Sequence, residues 1–271
     1  MSKIKSNQCS LIPYIEAMKL YCSLPAIPCR SAPSDRSEMT TQMLFGETAT
    51  LLDENEKWFL VKTDYDQYEC WVDRKQLTPL SEEEFIRSKN VATARSASLF
   101  SSIKNGDQEI TVPFGSAIGH LNPLNLTTAS QKAEVTGVPG TLTQSAMLLL
   151  GCPYLWGGRT PMGYDCSGFV QIIYAVHGIQ LPRDAKQQAE VGDTIAFLEE
   201  ARAHDLAFFE NDQGKITHVG MLIDNHFKNG LDVIHASGMV RVDKFDHQGI
   251  FNSAAGTYTH NLRIIKRVSQ L

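Results

Sequence analysis

One cysteine and two histidines in the second half of the sequence have the types and spacing of a nucleophile, a base and a group that orients the base. Cys166 stands between Asp165 and a Ser-Gly pair, directly ahead of a helical pattern. His218 in ITHVGMLI and His235 in VIHAS follow in two successive apolar runs of β type. A thiol activated by a positioned imidazole performs nucleophilic acyl transfer. The three residues therefore predict a cysteine-dependent acyl-transfer site.

The start of the predicted helix suits an anionic sulfur. Asp165 is a favourable N-cap residue and places Cys166 in the first turn, where unpaired N–H groups and the helix dipole favour negative charge. With a cationic partner nearby, the pKa of such a thiol can fall from about 8.5 to between roughly 3.5 and 7.5. Given such a partner, Cys166 would be a thiolate at neutral pH. The alternative is an inert buried cysteine, which is the usual fate of a free thiol.

The two histidines differ from the others because both lie in apolar strands. Alternation along the first strand puts Val219 and Met221 on one face and leaves His218 on the other. A lone strand histidine is usually a core residue, but a second histidine, His235, on the neighbouring hairpin strand lets the two together supply a base and a group that orients the base. The other histidines lack this context and fall at a helix end or in predicted loops, among them His177, His204, His226, His247 and His260.

The elements around these residues indicate a mixed domain. One helix is predicted to begin near Thr141 and a second at Cys166, the latter ended by Gly178 and Pro182. The second helix has apolar residues at i, i+3, i+4 and i+7, namely Phe169, Ile172, Ile173 and Val176. Predicted strands follow at 205–209, 216–224, 231–237 and 261–268. A helix followed by a run of antiparallel strands is an α+β pattern.

The first half of the chain has a different texture. Short β-rich runs separated by polar turns between about residues 40 and 80 predict a small barrel. A weaker β-rich segment covers about 91–138. FGETATLLD at Phe45 and FGSAIGHLN at Phe114 share Phe-Gly and a later leucine, which suggests a duplicated module.

Composition excludes several classes of function. The 271 residues are 42% hydrophobic and 20% charged, which is typical of a soluble globular protein. A net charge of -5 gives no reason to expect a nucleic acid or an anionic membrane as partner. No apolar run reaches the roughly 18 residues of a spanning helix. The polar residues after the first lysines argue against a signal peptide, so we expect a cytoplasmic protein, or a periplasmic one if a signal has been removed.

Six cysteines are too few for a disulfide scaffold in a chain of this length, and no CxxC pair indicates structural zinc. We expect no metal, no organic cofactor and a monomer.

Five ordered motifs carry a family resemblance: PYLWGG, DCSGFVQ, LPRDA, THVGMLI and VIHAS. Together they resemble the NlpC-type cell-wall cysteine peptidases, a papain-like group, over about 141–268. The resemblance implies that Cys166 is the nucleophile, His218 the general base and His235 the residue that fixes the imidazole. It also implies that Tyr154 helps to bind the oxyanion beside the Cys166 backbone N–H.

Two stretches of the first half, SEMTTQMLFGE and YECWVDRKQL, resemble the first module of family members with tandem bacterial SH3-like domains. The implied fold is α+β, a papain-like peptidase domain preceded by two small SH3-like β-barrels. Residues 1–80 then hold an N-terminal segment and the first barrel, 81–138 the second barrel, and 139–271 the peptidase domain.

Such enzymes cleave the bond between γ-D-glutamate and the diamino acid of murein-derived peptides and require a free L-alanine at the amino end. An ammonium group needs carboxylates and a hydroxyl around it, because burying it unpaired is costly. The match to the family motifs gives candidates from the peptidase domain. Two further candidates come from the first barrel, Glu38 and Tyr68, for which the alternative is a solvated acid and a core tyrosine. These substrate-binding candidates are Asp165, Ser167, Asp184, Trp156, Glu38 and Tyr68.

Three departures from the family pattern bear on the substrate. Ala185 stands where many relatives have serine, Cys70 replaces a glycine, and NHFKNG lengthens the hairpin between the two histidines. Two other functions stay open at this point: an acyltransferase or amidase on the same three residues, and a non-catalytic murein-binding protein. The sequence does not distinguish diaminopimelate from lysine at the third substrate position.

Overall fold

The computed structural model describes most of the chain, namely residues 18–89, 94–105, 107–119, 127–128, 140–225 and 230–268. The signal-peptide prediction rests on amino-terminal residues that lie outside these ranges. Cys9 and most of the NHFKNG stretch lie outside them too. Within them, no helix has the length and apolarity needed to cross a membrane.

The first module is one antiparallel sheet of seven short strands. They are β1 (Lys19–Tyr21), β2 (Ala26–Arg30), β3 (Met39–Leu44), β4 (Thr48–Glu54), β5 (Trp58–Thr63), β6 (Glu69–Asp73) and β7 (Thr78–Leu80). Their order in the sheet is β3-β2-β6-β5-β4-β1-β7. The β-rich runs read from the sequence are β4, β5 and β6. The prediction missed β1 and β2, because strands of three and five residues are too short to show a clear alternation.

The second module is described in part. It contains α1 (Glu82–Lys89) and a three-stranded sheet of β8 (Phe100–Asn105), β9 (Gln108–Pro113) and β10 (Thr127–Thr128), in the order β10-β8-β9. Much of 120–139 lies outside the described residues. The boundaries of a second barrel therefore stay a prediction.

The two Phe-Gly pairs of the sequence repeat occupy similar turns. Gly46 and Gly115 have φ angles of 84° and 86°, a region that favours glycine, and each follows a buried phenylalanine. The turns also touch, since the backbone N–H of Ala117 donates to the carbonyl of Phe45 at 2.8 Å. A Cβ on Gly46 would lie 1.8 Å from the carbonyl oxygen of Ala117. The repeat thus marks the place where the two modules meet.

Over its described residues, the last domain contains three α-helices and nine strands. The helices are α2 (Leu142–Leu148), α3 (Cys166–Val176) and α4 (Ala185–Gln188). The strands are β11 (Arg159–Thr160), β12 (Gly163–Tyr164), β13 (Asp193–Ile195), β14 (Leu206–Glu210), β15 (Ile216–Asp224), β16 (Leu231–Ser237), β17 (Met239–Asp246), β18 (Gly249–Asn252) and β19 (Thr257–Arg267). The main sheet has the order β13-β19-β14-β15-β16-β17-β18. Because β18 also pairs with β19, its strands close into an antiparallel barrel.

Local sequence explains the two main helices. The side chain of Thr141 caps α2 and forms a capping box with Gln144. The side chain of Asp165 caps α3, which ends before Gly178 at a φ of 77°. Both helices begin where the sequence predicted.

The core of the last domain lies on both sides of β15. The apolar side of α3 packs with Val219 and Met221 outside the barrel, whereas Phe209 and Leu222 belong to a cluster inside it. His218 lies on the inner side, with its ring centroid 5.8 Å from that of Phe209. The predicted alternation at this strand is confirmed.

Buried ion pairs join the first module to the last domain. Arg159 donates to both carboxylate oxygens of Glu47, at 2.9 and 3.0 Å, and Arg95 of the second module donates to the same carboxylate at 3.0 Å. Burial alone would raise the pKa of Glu47, but the two arginines outweigh it and lower the pKa to about 2. Removing one partner of a buried pair costs about 3–5 kcal/mol, so this contact fixes the modules to each other.

Candidate active site

Cys166 is the first residue of α3 and opens onto a cleft. The side chain of Asp165 accepts a hydrogen bond of 2.7 Å from the backbone N–H of Gly168 and so caps the helix. The thiol is 8% exposed and hydrogen-bonds the backbones of Ser167 and Val219, the latter being the residue after His218. The packing of α3 on β15 therefore brings the predicted nucleophile to the strand that holds the predicted base.

The condition for a thiolate at Cys166 is not met in the free protein. Burial, followed by the charge of Asp165, raises the pKa of Cys166 to about 11. Burial also lowers the pKa of His218 well below its usual value, with the neighbouring His235 and His260 acting in the same direction. The sequence argument assumed a cationic partner, and the lowered pKa of His218 means that this imidazole does not supply one at neutral pH. With these pKa values, the thiol and the imidazole are both uncharged at neutral pH.

Asp165 is fully occupied by bonds within the protein. Its two oxygens accept from both terminal nitrogens of Arg183, at 2.5 and 3.0 Å, and from the backbone N–H groups of Gly157 and Gly168, at 2.9 and 2.7 Å. Ser167 is also committed, since it donates to Asp165 and accepts from Arg183 at 2.9 Å. Both residues line the cleft, and their polar atoms are hydrogen-bonded within the protein, so their predicted contacts with substrate stay a prediction.

The two histidines form a hydrogen-bonded chain that ends on an acid. Nε2 of His218 lies 2.8 Å from Nδ1 of His235, and Nε2 of His235 lies 3.0 Å from Oδ2 of Asp243. The predicted orienting role of His235 matches this geometry. Asp243 itself was missed, although the Ser-Gly turn after VIHAS indicates a hairpin that brings it beside His235.

His260 was predicted in a loop, and this is wrong. It lies in β19, and its ring stacks on that of His218 at a centroid distance of 4.2 Å. Bulges interrupt the pairing on both sides of it, at Thr259 and Arg263, and a third bulge at Thr217 precedes His218. Bulges redirect side chains near active sites, and they also break the alternation from which a strand is recognised.

Tyr154 lines the same cleft as Cys166. Its backbone N–H donates to the carbonyl of Gly238 at 2.9 Å, which holds the residue against the hairpin between β16 and β17. Burial, with the nearby Cys166 and Asp165, raises the pKa of Tyr154 to about 12. The phenol therefore keeps its proton at neutral pH and can donate a hydrogen bond.

The cleft has a volume of about 640 Å³, within the range of small-molecule sites. Glu38 and Tyr68 of the first module line it together with Trp156 and Asp184 of the last domain. Oε1 of Glu38 accepts a hydrogen bond of 2.7 Å from the indole N–H of Trp156, which ties the two walls together. Ala185 lines the cleft too, where a serine would add a hydroxyl.

The charged groups that line the cleft differ in how far they are hydrogen-bonded within the protein or exposed to solvent. Glu38 and Asp184 are exposed residues. Partial burial of the Asp184 carboxylate still raises its pKa, despite the opposing charge of Arg183. Tyr68 is half-buried and hydrogen-bonds Thr40. An exposed pair of acids beside a phenol can bind a cation, so the wall of the cleft has the chemistry of an amine site. Within the described residues, no group of three or more His, Cys, Asp or Glu side chains has the arrangement of a metal site.

Comparisons with known proteins agree with this architecture. Residues 151–257 match the NlpC/P60 family, and residues 29–77 match the bacterial dipeptidyl-peptidase SH3 domain. A gamma-D-glutamyl-L-lysine dipeptidyl-peptidase of Bacillus subtilis is 30% identical over 207 residues, which are 68% of this chain and 69% of that protein. A protein of the same description from Bacillus cereus is 28% identical over 223 residues, 70% of this chain and 66% of that one.

A crystal structure of an NlpC/P60 family protein from Bacillus cereus has the same fold. It covers 92% of this chain and 99% of its own, with a TM-score of 0.72 at 21% identity. With an SH3-like domain ahead of a helix-borne cysteine and a histidine-bearing barrel, the chain belongs to the NlpC/P60 family of cysteine peptidases.

Proposed function

We propose that this protein hydrolyses the bond between γ-D-glutamate and the diamino acid in murein peptides with a free amino-terminal L-alanine. The observation that carries the proposal is the cleft in which the Cys166 thiol lies with two exposed acids, Glu38 and Asp184, one from each domain. The relatives that span both domains are described as gamma-D-glutamyl-L-lysine dipeptidyl-peptidases, which supports the same bond. The products are L-Ala-γ-D-Glu and a peptide or amino acid that begins with the diamino acid.

Proton transfer starts the reaction. His218 takes the proton of the Cys166 thiol, and the sulfur attacks the γ-carbonyl carbon of the substrate's D-glutamate. The carbonyl π-electrons move to oxygen, and the resulting oxyanion accepts hydrogen bonds from the backbone N–H of Cys166 and the phenol of Tyr154. One hydrogen-bond donor fixed at such an oxyanion stabilises the transition state by roughly 3–4 kcal/mol.

Collapse of this intermediate breaks the C–N bond. The proton held by His218 passes to the leaving amine of the diamino acid, and a thioester joins Cys166 to L-Ala-γ-D-Glu. Water then attacks the thioester with His218 as base, and the thiol is restored. Because thiol and imidazole are neutral at rest, His218 acts as a general base and no preformed thiolate is needed.

The amine site follows from what is free in the cleft. Asp165 is saturated by Arg183 and two backbone N–H groups, so the substrate's ammonium group is assigned to Glu38 and Asp184, with the phenol of Tyr68 beside them. This assignment explains why the first module belongs to the enzyme: without it, the cleft loses Glu38 and Tyr68. A peptide still joined to muramic acid has no ammonium group to offer. Murein fragments released during recycling are therefore the expected substrates.

Product analysis with L-Ala-γ-D-Glu-diaminopimelate tests the proposal. We expect L-Ala-γ-D-Glu and free diaminopimelate as the products, and the lysine tripeptide in parallel shows which diamino acid is preferred. Transfer of the acyl group to an added amine, with little hydrolysis, would show an acyltransferase instead. Binding of the tripeptide without turnover would show a binding protein.

A further inference from the structure

The His235 ring is bonded on both nitrogens, and its outer partner is a carboxylate within the barrel. His218, His235 and Asp243 are 6%, 1% and 8% exposed, so water competes little for their hydrogen bonds. We propose that Asp243 is a positioning residue that fixes the tautomer of His235 and, through it, makes Nδ1 of His218 the basic nitrogen. For its effect on turnover this inference rests on the proposed function; for the tautomers it does not.

The order of the protons follows from the acceptor at the end of the chain. An ionised carboxylate only accepts, so Nε2 of His235 carries a proton. In its neutral form the His235 ring has one N–H, which leaves a lone pair on Nδ1 to accept from Nε2–H of His218. His218 then has its own lone pair on Nδ1. That atom is the one left to take the thiol proton of Cys166.

Arg241 holds the carboxylate in the ionised form. Its Nη2 donates to Oδ1 of Asp243 at 2.8 Å, and its Nε lies 2.6 Å from Oδ2. Burial alone would raise the pKa of Asp243, but the hydrogen bonds from His235 and Arg241 outweigh it and lower the pKa. A protonated Asp243 would donate to Nε2 of His235 and reverse every proton in the chain. His218 would then carry its proton on Nδ1 and have no lone pair for the thiol.

The strand register builds this link into the barrel frame. In the pairing of β16 with β17, His235 lies opposite Arg241 and Val233 lies opposite Asp243. Asp243 is thus the diagonal neighbour of His235 on one face of the sheet, within reach of a long side chain. The turn at Gly238, with a φ of 71°, fixes this register. An acid and its arginine are therefore presented together to the outer nitrogen of His235.

Nitrogen NMR of the intact protein tests the tautomers without any substrate. With ¹⁵N-labelled histidine at neutral pH, we expect the rings of His218 and His235 to carry their protons on Nε2. A proton on Nδ1 of either ring in the wild-type protein would overturn the proposal. Asp243→Leu, which has a similar volume and no acceptor, should give mixed tautomers at His235, and an unchanged pattern would contradict the proposal.

Asp205→Leu is the matched control. Asp205 is also buried and paired with an arginine, Arg267 at 2.7 Å, but it lies outside the histidine chain. This variant should lose stability and keep the wild-type tautomers. If it changes the tautomers as much as Asp243→Leu does, the effect is a general loosening of the barrel and the proposal fails.

A double-mutant cycle on Cys166 alkylation tests whether Asp243 acts through His235. Asp243→Leu should slow alkylation of Cys166 by iodoacetamide about tenfold in the wild-type background. The reason is that Nδ1 of His218 becomes less basic and no longer always has a free lone pair for the thiol proton. In a His235→Asn background, an amide oxygen accepts directly from His218. There, Asp243→Leu should slow alkylation of Cys166 less than about twofold. Equal slowing in both backgrounds would overturn the proposal. Since no peptide is used, failure of the proposed substrate leaves this result readable.

Discussion

The two sides of the cleft are built in opposite ways. The catalytic side is a buried chain, His218 to His235 to Asp243, that lies within one barrel and has each nitrogen-to-acceptor contact fixed at 2.8 to 3.0 Å. The recognition side is a set of exposed groups, Glu38 and Asp184 among them, that two modules bring together. On the proposed mechanism, the chemistry would depend on the order of protons along the histidine chain, whereas the choice of substrate would depend on how the modules are joined.

The largest effect is expected at the nucleophile. Cys166→Ala should lower turnover of the free tripeptide by at least about 10⁴-fold, because removing the nucleophile of an acyl-transfer site abolishes its covalent pathway. Folding should be nearly unchanged, since the thiol fills little space at the helix tip. Turnover and urea unfolding measured on one preparation check both points. Activity retained within a few-fold of the wild type would remove Cys166 from the mechanism.

The next effect concerns the orienting histidine. His235→Ala should lower kcat by roughly 10²- to 10³-fold with KM little changed, because His218 loses the partner that sets its orientation. His235→Asn should retain more activity than His235→Ala, since the amide oxygen can accept from Nε2–H of His218. Steady-state kinetics of the two variants decide this. Equal activity in both would mean that the acceptor at this position is unimportant.

On the recognition side, the substrate's ammonium group is the test. Acetylating the amino terminus of L-Ala-γ-D-Glu-diaminopimelate should lower kcat/KM about a hundredfold, or roughly 3 kcal/mol of transition-state binding. Glu38→Gln should lower kcat/KM on the free peptide and narrow the gap between the two peptides. Glu69→Gln, an exposed acid of the same module that does not line the cleft, is the control and should change neither. A gap unaffected by Glu38→Gln would assign the amine to other groups.

A substitution in the buried ion pairs between the modules should affect the recognition side of the cleft and leave the catalytic side unchanged. Glu47→Gln leaves Arg95 and Arg159 facing each other without their shared anion, and it should destabilise the protein by about 3–5 kcal/mol. We expect KM for the free peptide to rise about tenfold, since the wall that holds Glu38 is no longer fixed. The rate of Cys166 alkylation should stay within about twofold of the wild type. A large fall in alkylation with KM unchanged would contradict the division of roles.

The smallest effect is a pH dependence of stability from His260. Burial, together with the neighbouring His235, lowers the pKa of His260 to about 4, whereas the unfolded ring takes up its proton near the ordinary value of 6.5. The unfolded state binds more protons between these values, so this contribution to stability is lost as pH falls from about 6.5 to about 4. His260→Phe keeps the stack on His218 and should flatten the acid side of the stability curve. Urea unfolding at pH values on both sides of this window checks it, and an unchanged slope would show that other groups dominate.

The sequence was informative wherever local patterns determine geometry. The cap at Asp165, the apolar face of α3 and the alternation around His218 follow from neighbouring residues, and the structure has them as predicted. The family motifs placed Glu38 and Tyr68 beside a cleft whose other wall comes from a distant part of the chain, since Glu38 and its hydrogen-bond partner Trp156 are 118 positions apart.

Contacts between distant segments set what the sequence did not reveal. Arg183 reaches Asp165 from a separate loop and donates to both of its oxygens, a contact that the sequence did not reveal; the substrate-binding role of Asp165 stays a prediction. Bulges in β19 hid His260, because they break the period by which a strand is recognised. The pKa of Cys166 depends on the burial of its whole surroundings, which no local pattern encodes.

Trapping the acyl-enzyme tests the central claim most directly, because it joins the chemistry to the recognition of the amine. Wild-type protein is mixed with excess L-Ala-γ-D-Glu-diaminopimelate, quenched with acid within one turnover and digested, and the peptide containing Cys166 is examined by mass spectrometry. We expect that peptide to carry L-Ala-γ-D-Glu as a thioester, and to carry almost none when the substrate is N-acetylated. Equal acylation by both substrates, or product formation without any adduct on Cys166, would contradict the account.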